Sequence, residues 1–287
     1  MIFESKHETK RIIVLHVLIM LISSLAYNHN ILRIRKKSLF SLNMSSSKIV
    51  YDSYVMKSLL SRIEENNIVD PGEWGVFVPF FMKGKPYGYL KNEFAEKLTE
   101  FNNLFDLQRG TTSTKKLFLR NEIDSLHLKE KSEAFSEMTK SLRNRGLIKG
   151  WRNELLPVVD NYSDEPVLLI ERAAYPWFGI KGYGVHVNGY VTESTSSSVP
   201  LKLWVAKRSK TKSTWPSMLD HIVAGALPHN ISPLENVVKE CAEEANIPRE
   251  IAVEAKPVGA VSYRGSDEFG CLKRDTLMCF DLKLPVL

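Results

Sequence analysis

The apolar positions of the chain divide it into stretches with strand-like and helix-like periods. Two dense apolar runs, 74–82 and 87–90, predict strands that are joined by a turn of Lys, Gly and Pro. Apolar residues at helical spacing predict three helices, and a short apolar run predicts one further strand. The predicted helices are 52–65, 92–101 and 132–144, and the further strand is 117–119. This order of elements is typical of a small α+β domain.

The second half of the chain is rich in strand signals and contains one helix with clear boundaries. Ser232 is a good N-cap, Glu235 completes a capping box, and Asn246 suits the left-handed conformation that ends a helix. A narrow apolar stripe predicts the buried face of this helix, formed by Leu234, Val238, Cys241 and Ala245. The predicted strands are 167–170, 185–191, 203–205, 258–263 and 276–284.

Three carboxylates on this helix carry the candidate chemistry. Glu240, Glu243 and Glu244 stand at i, i+3 and i+4, so they are neighbours on one helix face. Like charges at this spacing repel one another, and the stability of the helix does not require them. A solvated acidic face is one explanation. A bound divalent cation is the other, because Mg²⁺ prefers oxygen ligands and would remove the repulsion.

The loop and helix at residues 225–247 resemble the Nudix box of the Nudix hydrolases. The family pattern is Gly-x5-Glu-x7-Arg-Glu-U-x-Glu-Glu-x-Gly-U, where U is a bulky aliphatic residue. Ile231 replaces the first Glu of the pattern, Lys239 replaces its Arg and Asn246 replaces its second Gly. The matching positions are Gly225, Glu240, Glu243, Glu244 and Ile247.

Longer stretches outside the box narrow the resemblance to one Nudix subgroup, which carries an uncharacterised N-terminal domain. This subgroup includes the Nudix half of a fungal thiamine pyrophosphokinase and plant organellar Nudix hydrolases. The resemblance implies an α+β domain at 49–160, followed at 161–287 by a Nudix α/β/α sandwich with a mixed sheet. It also implies hydrolysis of thiamine diphosphate, and preferentially of its damaged oxo and oxy forms, to monophosphates. The stretches are 150–158, 171–174, 178–180, 185–190, 203–209 and 214–216.

Hydrolysis of a diphosphate needs a metal that neutralises developing charge, and an activated water. The predicted cofactor is Mg²⁺ or Mn²⁺, and Glu240, Glu243 and Glu244 are its predicted ligands. Glu243 and Glu244 are also the predicted catalytic residues. Whether Glu244 holds a metal-bound water or deprotonates the attacking water stays open. Gly225 would let the backbone approach the metal or the phosphate closely.

Candidate substrate contacts come from residue types that suit a diphosphate joined to a cationic ring system. Arg208 can make a bidentate contact with phosphate, or it is a surface charge at a strand edge. Trp215 lies in the loop before the box, where its ring can stack on a cationic substrate. Trp204 is either a second stacking ring or part of the core. Further candidates are His186 and Asn188, which share one strand face, and Glu268 as an alternative base.

The charge of the chain is concentrated in its first fifty residues. The net charge is +6, but residues 1–50 hold eight basic and two acidic side chains, which leaves 31 of each sign in the remainder. Because basic and acidic side chains are equal in number after residue 50, this part of the chain is not expected to bind nucleic acid. The apolar run at 12–26 is shorter than the about 20 residues of a membrane span, so stable insertion is not expected. We predict that residues 1–48 direct the protein to a mitochondrion or chloroplast; if translation starts at Met44, the protein is cytoplasmic.

The end of the chain follows the last predicted strand closely, whereas Nudix domains normally continue beyond this point. We therefore expect a fold truncated at its C-terminus, with Phe280 and Leu282 losing cover and an open strand edge. Two functions stay open. One is an active diphosphohydrolase for thiamine diphosphates, or for another nucleoside or sugar diphosphate. The other is a catalytically weak, Nudix-like binding module. The predicted partner is a small-molecule diphosphate, and homo-oligomerisation is left open.

Overall fold

A computed structural model of the protein describes residues 76–110, 114–191, 202–212, 216–267 and 269–285. The predicted leader at 1–48, the predicted helix at 52–65, Trp215 and Glu268 lie outside these residues. Within the described part of the chain, no helix combines the length and the apolar character that a membrane crossing requires.

The first described unit is a four-stranded sheet with helices and a hairpin packed around it. Its sheet has the order β2-β1-β4-β3, with β1 and β4 parallel and the other neighbours antiparallel. A short 3-10 helix, Tyr175–Phe178, follows the hairpin of β5 and β6. The strands are β1 Phe77–Met82, β2 Lys85–Lys91, β3 Phe105–Arg109, β4 Lys115–Leu119, β5 Leu155–Val158 and β6 Leu168–Glu171; the helices are α1 Asn92–Leu98, α2 Asn121–Asp124 and α3 Leu128–Asn144.

Four phenylalanine rings form the centre of the first unit. Phe80, Phe105, Phe135 and Phe178 are each at most 2% exposed, and their ring centroids lie 5.6–6.4 Å apart. The hydrophobic core that contains them extends from Val78 to Ile180. The predicted division between 160 and 161 stays a prediction. Because this core includes both hairpin strands, the packing favours a boundary near residue 181.

The second described unit is a mixed sheet built around β7. Strand β12 runs parallel to β7 on one side, while β10 and β8 pair antiparallel with successive parts of its other side. Strand β11 lies outside β12, and β9 lies outside β8. The elements are β7 Lys181–Val191, β8 Lys202–Lys207, β9 Leu219–His221, β10 Val223–Ala226, α4 Pro233–Ala245, α5 Arg249–Ala252, β11 Lys256–Ser266 and β12 Leu272–Lys283.

One face of the mixed sheet is covered by α4 and α5, whose apolar side chains share a core with β7, β10 and β12. The 3-10 helix of the first unit contacts β12. The predicted fold class, an α+β unit followed by an α/β unit with a mixed sheet, is confirmed.

The expected loss of cover at Phe280 and Leu282 is wrong. These side chains are 4% and 0% exposed, and β12 lies between two strands rather than at an edge.

The three cysteines, Cys241, Cys271 and Cys279, are buried and free. Burial raises the pKa of Cys241 and of Cys279 to about 11 and that of Cys271 to about 12. These thiols therefore behave as small core side chains rather than as nucleophiles.

A buried polar pair joins β7 to β12. Asn188 Nδ2 donates to Asp281 Oδ1 at 2.9 Å, and the two residues are 5% and 8% exposed. Burial raises the pKa of Asp281, and the hydrogen bond from Asn188 offsets part of that effect. Within the described residues, Asn188 Oδ1 has no hydrogen-bond partner. The pair therefore leaves one buried acceptor unpaired and one buried carboxylate poorly solvated.

We expect Asp281→Asn to be more stable than the wild type at neutral pH, by about 1 kcal/mol. The amide removes the buried charge and keeps the acceptor for Asn188. Because the folded-state pKa of Asp281 is raised, the wild type loses stability as pH rises from its unfolded pKa through its folded pKa. The advantage of the variant in thermal melts should therefore grow from acidic to neutral pH. Glu133→Gln at an exposed position is the control, and a lower melting temperature for Asp281→Asn at neutral pH would contradict the prediction.

Candidate functional site

Helix α4 forms where the sequence predicts it. The Ser232 side chain accepts a hydrogen bond from Glu235 N at 3.2 Å, and Asn246 takes the left-handed conformation with φ 51°. Val238 and Cys241 of the predicted stripe are buried, at 7% and 0% exposed, but Leu234 is 39% exposed. Asn236 and Val237 are fully buried instead. The buried face is therefore shifted, so that a polar row of side chains, Asn236, Glu240 and Glu244, contacts the sheet.

Three side chains of α4, spaced one turn apart, meet consecutive residues of β10. Glu244 Oε2 accepts a hydrogen bond from Ala224 N at 3.0 Å, and Asn236 Nδ2 donates to Ala226 O at 2.8 Å. Between them, the Glu240 carboxyl lies against Gly225. A Cβ at residue 225 would be 2.3 Å from Glu240 Cδ, so this position has no room for a side chain.

Glu240, Glu243 and Glu244 form the carboxylate row of α4. Burial and two lysines set the electrostatics of this row. Burial raises the pKa of Glu240, the charges of Glu244 and Glu243 add to the rise, and Lys239 partly offsets it. Lys239 Nζ lies 3.3 Å from Glu240 Oε1 and 3.7 Å from Glu243 Oε2, and Lys212 Nζ lies 3.7 Å from Glu244 Oε1. Each carboxylate thus has a positive neighbour.

The donor chemistry of the row fits a hard divalent cation, but the side chains are not gathered around one point. Among the described residues, no three His, Cys, Asp or Glu side chains lie close enough together to hold a metal. Glu240, Glu243 and Glu244 nevertheless offer only oxygen donors from one helix face, and Glu240 is costly to keep charged where it lies. The role of the three residues as metal ligands stays a prediction.

A cavity of about 370 Å³ lies beside β10, and two of the remaining predicted residues, Arg208 and His186, line it. Gly225 and Ala224 line it, so the cavity and the carboxylate row meet at the same strand. Its other lining side chains combine cations, carboxylates and aromatic rings. They include Arg172, Arg208, Lys273, Asp220, Asp275, Tyr175, Tyr183 and Tyr263.

The structure places the predicted substrate residues unevenly. Arg208 lines the cavity, with its Nη1 2.5 Å from Asp220 Oδ2. His186 also lines the cavity, and its ring centroid lies 4.4 Å from that of His221. Asn188 shares the strand face of His186 but is buried against Asp281. Trp204 is 43% exposed and lies away from the cavity lining, so its position supports neither stacking on a substrate nor a place in the core.

Several cavity residues carry no sequence signal that would have identified them. Arg172 lies in one of the stretches that suggested the subgroup, but no spacing motif assigns it a role. Lys273 and Asp275 alternate on β12 and reach the cavity only because that strand pairs with β7. Their Nζ and Oδ2 atoms lie 3.5 Å apart.

We expect Gly225→Ala to lower the free energy of unfolding by about 1–3 kcal/mol, because the new Cβ forces Glu240 or the backbone to move. Ala224→Ser, on the opposite face of β10, is the matched control and should change stability by less than about 0.5 kcal/mol. Chemical denaturation of both variants measures the difference. A Gly225→Ala protein as stable as the control would show that Glu240 does not need its present position.

The chain is similar to known proteins along much of its length. A family model described as "Domain of unknown function (DUF4743)" matches residues 58–182. Nudix hydrolase 20, chloroplastic, and Nudix hydrolase 24, chloroplastic, of Arabidopsis thaliana are each 44% identical to the chain, over 213 and 212 residues. The alignments cover 74% of this chain and 56% and 55% of those proteins, so the chain spans about half the length of the curated relatives it matches.

Solved structures were also compared. A Nudix hydrolase from M. smegmatis, RenU, aligns with a TM-score of 0.26 and 13% identity, covering 37% of this chain and 63% of that one. A hypothetical Nudix protein of D. radiodurans, solved by NMR, aligns with a TM-score of 0.28 and 23% identity, covering 48% and 72%. At these scores the superpositions carry no argument. The chain is therefore similar in sequence to Nudix hydrolases over 74% of its length, and residues 58–182, ahead of α4, match the DUF4743 model.

Proposed function

We propose that the protein hydrolyses the pyrophosphate bond of a small organic diphosphate in a reaction that depends on a divalent metal. One observation carries the proposal: the carboxylate row of α4 packs on β10, and β10 also lines a cavity with two arginines. The cavity can therefore hold an anionic group next to the residues that would hold the metal. The named relatives, both Nudix hydrolases, support the same class of reaction.

The metal would be held by Glu240, Glu243 and Glu244. When bound, Mg²⁺ or Mn²⁺ would neutralise phosphate charge and lower the pKa of a bound water. Lys239 and Lys212 keep the row nearly neutral until a cation replaces their charge. Glu244 accepts a hydrogen bond from Ala224 N, which fixes one of its oxygens beside the cavity. In that position Glu244 can orient a water or accept its proton.

Arg208 is the proposed phosphate contact on the strand side of the cavity. Arg208 lines the cavity, and its hydrogen bond to the Asp220 carboxylate restricts the orientation of its guanidinium. Arginine suits this role because it donates two parallel hydrogen bonds to phosphate oxygens. His186 lines the same wall and can supply a further polar contact.

The proposed substrates are thiamine diphosphate and its oxo and oxy forms, which would be cleaved to a monophosphate and inorganic phosphate. The cavity supports an organic group of this kind, because Tyr175, Tyr183 and Tyr263 offer aromatic faces and Asp275 offers a carboxylate. A positively charged ring is attracted to both kinds of group. Another nucleoside or sugar diphosphate remains the alternative substrate class.

A second candidate function is a Nudix-like module that binds a diphosphate with little hydrolysis. The ion pairs of Lys239 and Lys212 favour it, since they engage the carboxylates that a metal would need. Ile231 stands where the Nudix box has a Glu, and this replacement also favours a module with little hydrolysis. Hydrolysis assays separate the two functions directly.

We expect Glu243→Gln to reduce metal-dependent hydrolysis of thiamine diphosphate at least about a hundredfold, because loss of an outer-sphere partner already costs 10–100-fold at metal sites. Glu243 is exposed, so the fold should be unaffected. Glu250→Gln, at an exposed position on α5, is the control. Phosphate release at saturating Mg²⁺ is the measurement. Wild-type rates for Glu243→Gln would show that the metal site is assigned wrongly.

We also propose that residues 1–48 direct the protein to an organelle and are dispensable for folding. The excess of basic residues in this segment motivates the proposal, and the two plant relatives are named chloroplastic. The measurement is the location of a fluorescent reporter that carries residues 1–48. Co-localisation with mitochondria or chloroplasts is expected, and a diffuse cytosolic signal would favour translation from Met44 instead.

A further inference from the structure

One wall of the cavity beside β10 is supplied by the first unit rather than by the mixed sheet. Leu156 on β5, Arg172 after β6, and Tyr175 and Pro176 of the 3-10 helix all line it. The first unit also reaches the box loop, because Ala226 packs against its hydrophobic core. Of these lining residues, Arg172 carries the charge that matches a diphosphate.

We propose that Arg172 binds the diphosphate group of the substrate, so that the DUF4743 domain completes the substrate site. The proposal rests on the proposed function for the identity of the substrate. It gives this domain a role in recognition that neither the Nudix box nor the mixed sheet provides.

The backbone around Arg172 is fixed before any ligand binds. Arg172 N donates to Glu154 O at 2.8 Å. The carboxylate of Glu171, only 4% exposed, accepts hydrogen bonds from Arg152 N at 2.8 Å and Ala173 N at 3.2 Å. Charge-assisted hydrogen bonds of this kind are stronger than neutral ones. The turn that presents Arg172 is therefore preorganised, which lowers the entropy cost of binding.

The side chain of Arg172 is held by a partner that an anion can replace. Its Nη1 lies 2.7 Å from Glu154 Oε2, and the two side chains are 43% and 23% exposed. Partly exposed ion pairs of this kind are weak, so exchanging the carboxylate for a diphosphate costs little. The pair of Arg208 and Asp220 is more enclosed, with side-chain exposures of 24% and 12%. An anion can therefore replace the ion-pair partner of Arg172 more easily than that of Arg208.

The Arg172 pair also lies near the carboxylate row. The cavity that Arg172 lines is also lined by Ala224, whose N donates to Glu244 Oε2 at 3.0 Å. Gly225, against which the Glu240 carboxyl lies, lines it as well. Arg172 therefore shares the cavity with the two β10 residues that contact the proposed metal ligands. A diphosphate placed between them would contact both.

The test is titration of the full chain with inorganic pyrophosphate in the presence of Ca²⁺, by calorimetry, with thermal melts as a check on folding. Arg172→Ala should weaken binding about tenfold or more without lowering the melting temperature. Arg172→Lys should fall between this variant and the wild type, because an ammonium cannot donate the bidentate pair. Glu154→Gln is the matched control. It removes the same ion pair but releases the guanidinium, so it should bind pyrophosphate at least as tightly as the wild type.

The outcomes separate the role of Arg172 from the proposed activity. Equal affinity of wild type and Arg172→Ala overturns the assignment, and so does an equal loss in Arg172→Ala and Glu154→Gln, which would show a structural ion pair. Failure of the wild type to bind pyrophosphate overturns it as well. If the wild type binds pyrophosphate through Arg172 but does not hydrolyse thiamine diphosphate, the proposed substrate is wrong and the Arg172 assignment stands.

Discussion

The close approach of α4 to β10 is the contact on which the rest of the site depends. A helix can lie this near a strand only where the facing residue is small, and β10 contributes Gly225 at that position. The polar row of α4 satisfies backbone groups of the strand at both ends, through Glu244 and Asn236. Between them Glu240 is held in a partly desolvated position. The same contact therefore fixes the helix, orients the carboxylates and makes one of them sensitive to a nearby cation.

The site lies where two units meet, which explains why its polar groups come from distant parts of the sequence. Strand β10 brings the box loop against the first core through Ala226, and the parallel pairing of β12 with β7 brings Lys273 and Asp275 to the cavity. The first unit adds an arginine and a tyrosine. A diphosphate joined to an organic ring suits the proposed site, because the cavity lining contains arginines, a lysine and tyrosine rings.

The sequence predicts the local features well, because they depend on short-range chemistry. Ser232 and Asn246 fix the ends of α4, and apolar runs locate most of the strands. The failures come from tertiary packing. Leu234 looks like a core residue at helical spacing, but it is exposed because the buried face is shifted toward Asn236. Phe280 and Leu282 were expected to lose cover, yet β12 is flanked on both sides and faces α4. Arg172 could not be found from the sequence because its place in the cavity depends on how the hairpin of β5 and β6 packs.

The central claim is that the carboxylate row and the cavity together cleave a pyrophosphate bond. Product analysis of thiamine diphosphate incubated with the wild-type chain, with Mg²⁺ and with a chelator, tests it most directly. The account predicts thiamine monophosphate and inorganic phosphate in equal amounts with Mg²⁺ and neither product with the chelator. A folded protein that releases no monophosphate at any Mg²⁺ concentration, or that releases it equally with the chelator, would contradict the account.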